Sequence, residues 1–332
     1  MANGISVIIC CYNSARKLPD TLDHIFRQQV REEMSWETIV INNNSSDNTA
    51  DVARTEWENA GRKGNFRVVD EPTPGLSNAK RRGFLSASYD LLLYCDDDNW
   101  LDEGYVQRCF DIMQQHQEVG ILGGQSEAVS DMELPVWFPH FQAQFAVGKQ
   151  GGEAGDITES RGYVWGAACV FRKAVLDKLD EIGFKNLNTG RKGKKVTAGE
   201  DAELCFAAKR LGFRIWYDPQ LTFKHFISGD RLTWSYLKKM FDGFGRASIA
   251  LDYYRDEKAN RANAIRQCKK FIGKNGRWRF YLPFSFLNNT DYIWFLYYRG
   301  RLKALKDCAD YDQNWEVCHN MLSGHDVKAH SK

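Results

Sequence analysis

Apolar runs and amphipathic stretches alternate along the first third of the chain. Four short runs are rich in β-branched and aliphatic residues and have the length of strands: 5–13, 37–44, 65–71 and 90–98. The stretches that follow them carry apolar residues at helical spacing: 17–29, 45–60, 75–88 and 102–116. Strands that alternate with helices of this length predict right-handed βαβ units and a parallel sheet.

The rest of the chain is less regular. Between about 120 and 228 the pattern predicts strands and strand–helix pairs, then a Gly/Lys-rich loop, a helix from Glu200 to Leu211 and a last strand. After Arg231 the pattern predicts helices, rich in aromatic and basic residues, as far as about Asp310. We therefore expect an α/β domain followed by a helical extension.

Polar residues occupy the end of each of the four early strands. They are Tyr12-Asn13, Asn42–Asn44, Asp70-Glu71 and Asp96–Asp98. Parallel sheets bind ligands at the carboxyl ends of their strands. Because all four ends are polar, the sequence predicts a binding site along this edge of the sheet.

The three consecutive aspartates at 96–98 directly follow an apolar strand. In an extended segment Asp96 and Asp98 share one face, because residues two apart project the same way. Two carboxylates on one face suit a hard cation such as Mg²⁺, which takes its other ligands from water and phosphate oxygens. The alternative is an Asp-rich turn that caps a helix beginning near Asp102.

Composition and charge narrow the class of protein. The chain has 332 residues, 43% hydrophobic and 27% charged, as in a soluble globular protein, and its net charge of +2 gives no argument for a nucleic-acid partner. Its nine cysteines form no CxxC pair, which favours reduced thiols in the cytosol. The N-terminus does not resemble a signal peptide, and no window is apolar enough for a membrane-spanning helix. We therefore expect a cytoplasmic protein.

Six blocks of the sequence follow one another in a characteristic order. They are SVIICCYNSARKLPDTL, IVINNNSSDNTADVA, PGLSNAKRRGFLSAS, LLLYCDDDNWLD, GAACVFRKAVLDKL and AGEDAELCFAAKRLGFRIWYDPQLTFKH. In this order they resemble family 2 glycosyltransferases of the GT-A fold, over about residues 4–235. The resemblance implies an α/β fold with a Rossmann-like nucleotide-binding sheet and flanking helices. It also implies a catalytic domain over 1–235, made of a nucleotide-binding half (1–118) and an acceptor-binding half (119–235), with a helical extension over 236–332.

The resemblance assigns the aspartate triplet to metal binding. Asp96 and Asp98 would form a DxD-type motif that holds Mn²⁺ or Mg²⁺ against the diphosphate of a UDP- or GDP-sugar donor. Asp97 would contact the donor or serve the turn. His225 would be a further metal ligand or a diphosphate contact, the alternative being a core histidine. Arg231 would contact the diphosphate or else begin the next helix.

The resemblance also implies nucleotide contacts at the strand ends. Cys11, Tyr12 and Asn13 end the first strand, although the family usually has proline and threonine at Cys10 and Cys11. Asn42 stands where the family usually has an acidic residue that contacts the base. An asparagine amide both donates and accepts hydrogen bonds, so Asn42 can still pair with an imide.

Three further residues belong to the expected donor site. Glu71, at the end of the third strand, is placed to approach the base or ribose. Lys80 stands where the family often has arginine and would meet the phosphate or the base, with Arg81 and Arg82 as competitors. Trp165 would stack on a sugar face, or else be buried.

The block AGEDAEL, at 198–204, carries the expected general base. Sugar transfer with inversion needs a carboxylate that removes the proton of the acceptor hydroxyl as its oxygen attacks the anomeric carbon. The resemblance assigns this role to Asp201, with Glu200 and Glu203 as alternatives. Acids in a first helical turn are also favoured by the helix dipole alone.

Together these features predict an inverting, metal-dependent glycosyltransferase that moves one sugar to a glycan or polyprenyl-linked acceptor, in cell-surface polysaccharide or glycoconjugate biosynthesis. The QxxRW pattern of processive synthases is absent, which favours single-sugar transfer. One alternative is a non-catalytic nucleotide-sugar-binding protein of the same fold. Another is a sugar nucleotidyltransferase, although the first strand lacks a Gly-rich phosphate loop.

The segment from Arg261 to Lys306 carries eleven Lys or Arg residues and one acid, Asp291. Its mixture of aromatic and basic residues has two interpretations. In the first, residues 270–306 lie on the anionic inner face of a membrane as a peripheral contact and admit a lipid-linked acceptor. In the second, the aromatic residues are buried on the catalytic domain or in a homodimer.

Overall fold

The computed structural model describes residues 2–62, 64–188, 199–255, 260–275 and 290–323. Within them a nine-stranded sheet forms the centre of an α/β fold. Its strands are β1 (Ala2–Cys11), β2 (Trp36–Asn42), β3 (Asn65–Asp70), β4 (Tyr89–Asp96), β5 (Asn99–Leu101), β6 (Val119–Val129), β7 (Gly155–Asp156), β8 (Cys169–Arg172) and β9 (Arg214–Phe226). The hydrogen-bonded order is β3-β2-β1-β4-β8-β6-β9-β5, and β7 pairs with β9.

The first four strands are parallel, as the alternating pattern predicts. The helices of this half are α1 (Leu18–Phe26), α2 (Thr49–Asn59), α3 (Leu76–Ser86) and α4 (Tyr105–Gln115). Each is shorter than the predicted stretch because capping and turn residues take up its ends. The predicted βαβ units are confirmed, and they align the polar strand ends along one edge of the sheet.

Beyond β4 the sheet is mixed. Strand β8 runs antiparallel to β4 and β6, whereas β6 and β9 are parallel. The short strand β5 folds back from the aspartate triplet and pairs with β9, which sets Asn99 opposite His225. The helices of this half are the four-residue α5 (Phe138–Phe141), α6 (Lys173–Glu181) and α7 (Glu200–Arg210). The antiparallel return of β9 is what brings His225 to the triplet.

The central strands bury both faces, which is why they read as continuous apolar runs. Along β1, Ile8 packs into one hydrophobic cluster, while its neighbours Val7 and Ile9 pack into another on the opposite face. The first cluster includes residues of α3, α6 and α7, and the second includes residues of α1 and α4. The period-two alternation of the strands therefore fixes both layers of helices.

The C-terminal extension consists of α8 (Trp234–Arg255), α9 (Arg261–Asn275), α10 (Thr290–Asp307) and α11 (Tyr311–Ser323). Helices α8 and α10 approach so closely that a methyl group on Gly245 or Gly300 would overlap the backbone of the facing helix. Aromatic pairs join the helices, with ring centroids 5.2 Å apart in Phe241–Trp294 and 3.8 Å apart in Phe271–Tyr298. The described aromatics of the extension therefore pack on one another and on the domain.

Part of the segment with a predicted membrane contact, residues 276–289, lies outside the described residues. Within the described helices, none combines the length and apolar content needed to span a bilayer.

Candidate active site

A cavity of about 440 Å³ opens at the carboxyl ends of β1 and β4, opposite the start of α7. Ten of the predicted site residues line it: Cys11, Tyr12, Lys80, Asp96, Asp97, Asp98, Trp165, Asp201, His225 and Arg231. Residues from every part of the domain thus meet at the sheet edge where the polar strand ends predict a site.

Asp98 lies at the centre of a charged cluster. Its carboxylate is 3.5 Å from His225 Nε2, 3.5 Å from a terminal nitrogen of Arg231 and 3.7 Å from Lys17 Nζ. The Asp98 side chain is only 11% exposed, so water screens these contacts weakly. The cluster joins the triplet to α1, to β9 and to the turn that precedes α8.

Asp97 has a different set of partners. Its carboxylate accepts hydrogen bonds from the Ser14 hydroxyl and from Lys17 Nζ, the latter at 2.9 Å. The Thr21 hydroxyl donates to the Asp97 carbonyl oxygen at 2.9 Å. Asp97 therefore anchors the start of α1 to the triplet, in line with the interpretation that it serves the turn, and its donor contact stays a prediction.

Asp96 faces the cavity beside Asp98. Burial and the charge of Asp98 raise the pKa of Asp96 to about 7, although Lys80 opposes this shift. A bound cation would relieve this repulsion and favour the ionised carboxylate. At this position an ionised Asp96 is thus destabilised when no ligand is bound, and a cation would stabilise it.

The described residues hold no preformed group of three or more His, Cys, Asp or Glu side chains arranged to bind a metal ion. Mg²⁺ usually takes one or two protein carboxylates and completes its shell with water and substrate phosphates. Asp96 and Asp98 fit that incomplete donor set, with His225 as their neighbour. The residues present fit a divalent cation that binds together with a diphosphate.

The proposed base, Asp201, lies across the cavity in the first turn of α7. Lys80 Nζ is 2.7 Å from Asp201 Oδ1, and the Gly166 amide donates to Oδ2 at 3.1 Å. Gly166 lies so close that a methyl group there would overlap the carboxylate. Both oxygens of Asp201 are therefore held, one by a cation and one by the backbone.

Glu200 lines the same cavity and is buried beside Asp201. Burial and the Asp201 charge raise the pKa of Glu200 to about 7. Among the protein atoms described, its Oε2 has no hydrogen-bond partner. Helix α7 thus presents two acids to the cavity, Glu200 and Asp201, and Asp201 is the one that pairs with Lys80.

Of the three cationic candidates on α3, Lys80 is the one that lines the cavity. Its side chain is 17% exposed, and the charges of Asp201, Glu200 and Asp96 hold its pKa above the ordinary value. Arg81 points away and pairs with Asp180 at 2.8 Å.

Three predicted nucleotide contacts are outside the residues that line the cavity: Asn13, Asn42 and Glu71. Asn42 Nδ2 donates to Asp70 at 2.9 Å, and Asn13 Oδ1 accepts from the Ser46 amide at 2.8 Å. These side chains brace the loops beside the cavity, and their contact with a nucleotide stays a prediction.

Sequence reasoning assigned no individual role to Lys17 or Asn43, although Asn43 belongs to the polar run that ends the second predicted strand. Asn43 donates to the carbonyl oxygens of Glu71 and Thr73, at 3.1 and 2.7 Å, and accepts from the Gly75 amide at 2.8 Å. It thereby shapes the turn that forms one wall of the cavity. In the sequence, Lys17 is a lysine at the start of a predicted helix and Asn43 is an asparagine within a polar run after a strand. Neither pattern is specific for a binding-site residue.

Trp165 and Arg231 complete the wall. The Trp165 amide donates to Gln150 at 2.7 Å, and the Arg161 guanidinium lies 5.0 Å from the centre of the Trp165 ring. Arg231 Nε is buried and has no hydrogen-bond partner among the protein atoms described. The guanidinium group of Arg231 in the cavity wall suits an anionic ligand.

Comparison with known families and proteins gives two kinds of similarity. The family described as glycosyl transferase family 2 matches residues 6–180, more than half of the chain. The poly-beta-1,6-N-acetyl-D-glucosamine synthases of Staphylococcus epidermidis and Staphylococcus aureus strain COL are each 30% identical over 122 residues. That match covers 36% of this chain and 28% of either synthase, so the chain matches little more than a quarter of these relatives.

Solved structures of S. aureus TarS share the fold. TarS 1-349 in complex with UDP-GlcNAc has a TM-score of 0.57 at 13% identity, over 97% of this chain and 89% of that chain. The UDP complex gives a TM-score of 0.52 at 14% identity, over 95% and 91% of the two chains. The match extends through the C-terminal helices and confirms the predicted fold class.

Proposed function

The chain belongs to glycosyl transferase family 2, and we propose that it is an inverting, cation-dependent transferase of a single sugar from a nucleoside-diphosphate sugar. The balance of charge in the cavity carries this proposal. Five carboxylates line it against three Lys or Arg side chains: Asp96, Asp97, Asp98, Glu200 and Asp201, with Lys17, Lys80 and Arg231. A diphosphate adds further negative charge, so this cavity accepts it best together with a divalent cation.

A cation bound at Asp96 and Asp98 would offset the charge that develops on the departing nucleoside diphosphate. The chain's own cations surround the same place. Arg231 lines the cavity beside Asp98, and Lys17 lies beside Asp97 and Asp98. These side chains would orient the diphosphate, with His225 either on the cation or on a phosphate oxygen.

Asp201 would take the proton of the acceptor hydroxyl. As the acceptor oxygen forms its bond to the anomeric carbon, the bond from that carbon to the phosphate oxygen breaks, and its electron pair leaves with the nucleoside diphosphate. One displacement inverts the anomeric configuration. The Gly166 amide, which holds Oδ2, would keep the carboxylate oriented through the reaction.

Lys80 must loosen its contact before Asp201 can act, because it now holds Oδ1 at 2.7 Å. While Oδ1 accepts a hydrogen bond from the ammonium group, that oxygen is not available to the proton of the acceptor hydroxyl. An incoming diphosphate competes for the same ammonium group. We therefore expect donor binding to draw Lys80 toward the phosphates and to free Asp201.

The wider context follows from the relatives. The activity of the synthases and the ligands of TarS support a UDP-sugar donor, with a GDP-sugar as alternative, and a glycan or polyprenyl-linked acceptor in cell-surface polysaccharide synthesis. Lys269, Lys270 and Lys303 are exposed on α9 and α10, which supports a peripheral contact with an anionic inner membrane. The proposed catalytic domain is residues 1–235, and residues 236–332 form its extension. The proposed location is the cytoplasm.

Thermal unfolding with a panel of nucleotide-sugars tests the proposal. UDP-GlcNAc or another nucleoside-diphosphate sugar should raise the Tm by several degrees with Mn²⁺ and by much less with EDTA, since ligand binding stabilises the folded state. If no nucleotide-sugar changes the Tm, the proposal fails. Metal-dependent binding without turnover on any acceptor or water would instead favour a non-catalytic binding protein.

A further inference from the structure

The third acid of α7, Glu203, lies on the opposite side of the helix from the cavity. Residues two apart on a helix point in nearly opposite directions, so Asp201 and Glu203 cannot share a face. Asp201 lines the cavity, whereas Glu203 is 0% exposed and is absent from the cavity's lining residues. The sequence-based alternative in which Glu203 acts as the base is therefore disfavoured by its position.

The Glu203 carboxylate is held by three neutral donors. The amides of Leu187 and Asn188 donate to its two oxygens at 2.8 and 3.0 Å, and the Tyr254 hydroxyl donates at 2.9 Å. None of the ion pairs found among the described residues includes Glu203. Burying a carboxylate without a cation is costly even when it is hydrogen-bonded. An apolar residue could fill the same space at lower cost, so a specific geometric role is needed to explain the acid.

These contacts join three segments that are distant in sequence. Residues 187–188 lie in the chain segment that follows α6, α7 carries the proposed base, and Tyr254 belongs to α8 of the extension. Asn188 reinforces the junction, because its side chain donates to the Ala247 carbonyl of α8 at 3.3 Å. The extension thus contacts the helix of the base at a buried polar junction.

The start of α7 has little freedom at this junction. Gly199, its N-cap, has a φ of 109°, in the region that favours glycine. A methyl group on Gly199 would lie 3.3 Å from Asn188 Nδ2 and 3.9 Å from Leu251 of α8. The first turn of α7 is therefore enclosed between residue 188 and the extension, and Glu203 supplies the hydrogen bonds that fix it there.

We propose that Glu203 is a positioning residue, which locks α7 to the extension so that Asp201 is held at the distance and angle that proton transfer requires. This inference rests on the proposed function, in which Asp201 is the base. Two sets of contacts hold α7 from opposite sides. On the cavity side Lys80 and Gly166 contact Asp201, and on the opposite side Tyr254 and residues 187–188 contact Glu203. A shift of about 1 Å in a catalytic group can cost on the order of 100-fold in rate.

The test compares E203Q with E37Q. Glu37 is the control because it is also a glutamate of 0% exposure, at the start of β2 and away from the cavity. It accepts hydrogen bonds from Ser6 and the Ser88 amide and differs from Glu203 in being ion-paired, with Arg67. The probe is UDP release from UDP-GlcNAc with Mn²⁺, measured below the Tm of each variant. We expect E203Q to lose about 10- to 100-fold in kcat, with its KM and its Kd for Mn²⁺–UDP within about 2-fold of wild type.

E37Q should keep the wild-type kcat. Y254F, which removes one donor and leaves the carboxylate, should show a smaller loss of about 3- to 10-fold and serves if E203Q does not fold. A kcat for E203Q or Y254F equal to that of E37Q would overturn the proposal. So would an equal loss of Mn²⁺–UDP affinity, because that indicates general damage to the cavity.

Hydrogen–deuterium exchange separates this inference from the proposed function. Amides of residues 200–210 should exchange faster in E203Q and Y254F than in wild type or E37Q, whatever the reaction is. Unchanged exchange overturns the positioning role. If exchange changes as expected but D201N releases UDP as fast as wild type, the junction stands and the assignment of the base fails.

Discussion

Two acidic clusters face each other across one cavity, and they differ in what holds them. The triplet at the end of β4 is surrounded by Lys17, Arg231 and His225. The acids at the start of α7 have one cation, Lys80, and one backbone amide. The triplet therefore has the partners of an ion and phosphate site, whereas α7 presents a carboxylate with a single cationic partner, which stays oriented by the Gly166 amide when that partner moves.

The comparison shows how the same residue type acquires different chemistry. Within the triplet, the Asp97 carboxylate accepts hydrogen bonds from Ser14 and Lys17 at the start of α1. Asp98 lies beside Lys17, Arg231 and His225, and Asp96 faces the cavity with a pKa raised to about 7. On α7, Asp201 is oriented by Gly166, and Glu203 faces the extension. The role of each carboxylate therefore depends on the groups that contact it, more than on whether it belongs to an aspartate or a glutamate.

The strongest way to separate the two clusters is D201N. The amide cannot accept a proton from the acceptor, so we expect kcat to fall by about 10³-fold, with Mn²⁺–UDP binding nearly unchanged. Steady-state UDP release and calorimetric titration of Mn²⁺–UDP measure the two quantities. A parallel loss of both would mean that the α7 cluster belongs to the donor site.

D96N should have the opposite signature. Losing one carboxylate should raise the Mn²⁺ concentration for half-maximal activity at least 10-fold and lower turnover by about 100-fold, because the cation offsets charge on the leaving group. A manganese titration of UDP release measures this. D90N, at the other end of the same strand, is the control and should behave as wild type.

G166A tests the orientation of Asp201 by geometry alone. The added methyl group overlaps the carboxylate, so Asp201 must turn away, and we expect a 10- to 100-fold loss in kcat without loss of nucleotide binding. G152A is the matched control, since a methyl group there meets no atom within 4 Å. Equal rates for the two variants would contradict the assigned orientation.

The smallest expected effect is on stability. Because burial and Asp201 raise the pKa of Glu200 from 4.5 to about 7, the folded state binds this proton more tightly than the unfolded chain. The free energy of unfolding should therefore fall as pH rises from about 4.5 to 7. E200Q removes this loss, so relative to wild type it should gain on the order of 1–3 kcal/mol across that range.

Urea unfolding at pH 5 and pH 8 measures this difference. The exposed Glu153 provides the control E153Q, which should show no comparable gain. A constant difference between E200Q and wild type at the two pH values would show that the charge of Glu200 costs the fold nothing.

Local patterns in the sequence predicted the α/β fold, the polar edge of the sheet and a cation site at Asp96 and Asp98, whereas Asp201 was assigned to the same site by the resemblance to family 2 glycosyltransferases. Strand periodicity and the position of acids after a strand or at a helix start are local properties, so they can be read directly. The mixed half of the sheet could not be read in this way, since the pairing of β8 with β4 is decided by contacts distant in sequence.

The partners of the acids are also non-local. Lys80 meets Asp201 across 121 positions, and Lys17 meets Asp97 across 80. A lysine on a helix surface gives no sign of such a contact, which is why Lys17 escaped prediction. The same reason explains Glu203, whose donor Tyr254 lies 51 positions away in the extension.

The most direct test of the central claim is turnover by the wild-type chain. UDP release from UDP-GlcNAc, or from whichever nucleotide-sugar stabilises the protein most, should be measured with Mn²⁺ and then with excess EDTA. The account predicts release with Mn²⁺ that falls to background with EDTA and returns when Mn²⁺ is restored. Equal release with and without the chelator would contradict a cation held between the triplet and the diphosphate.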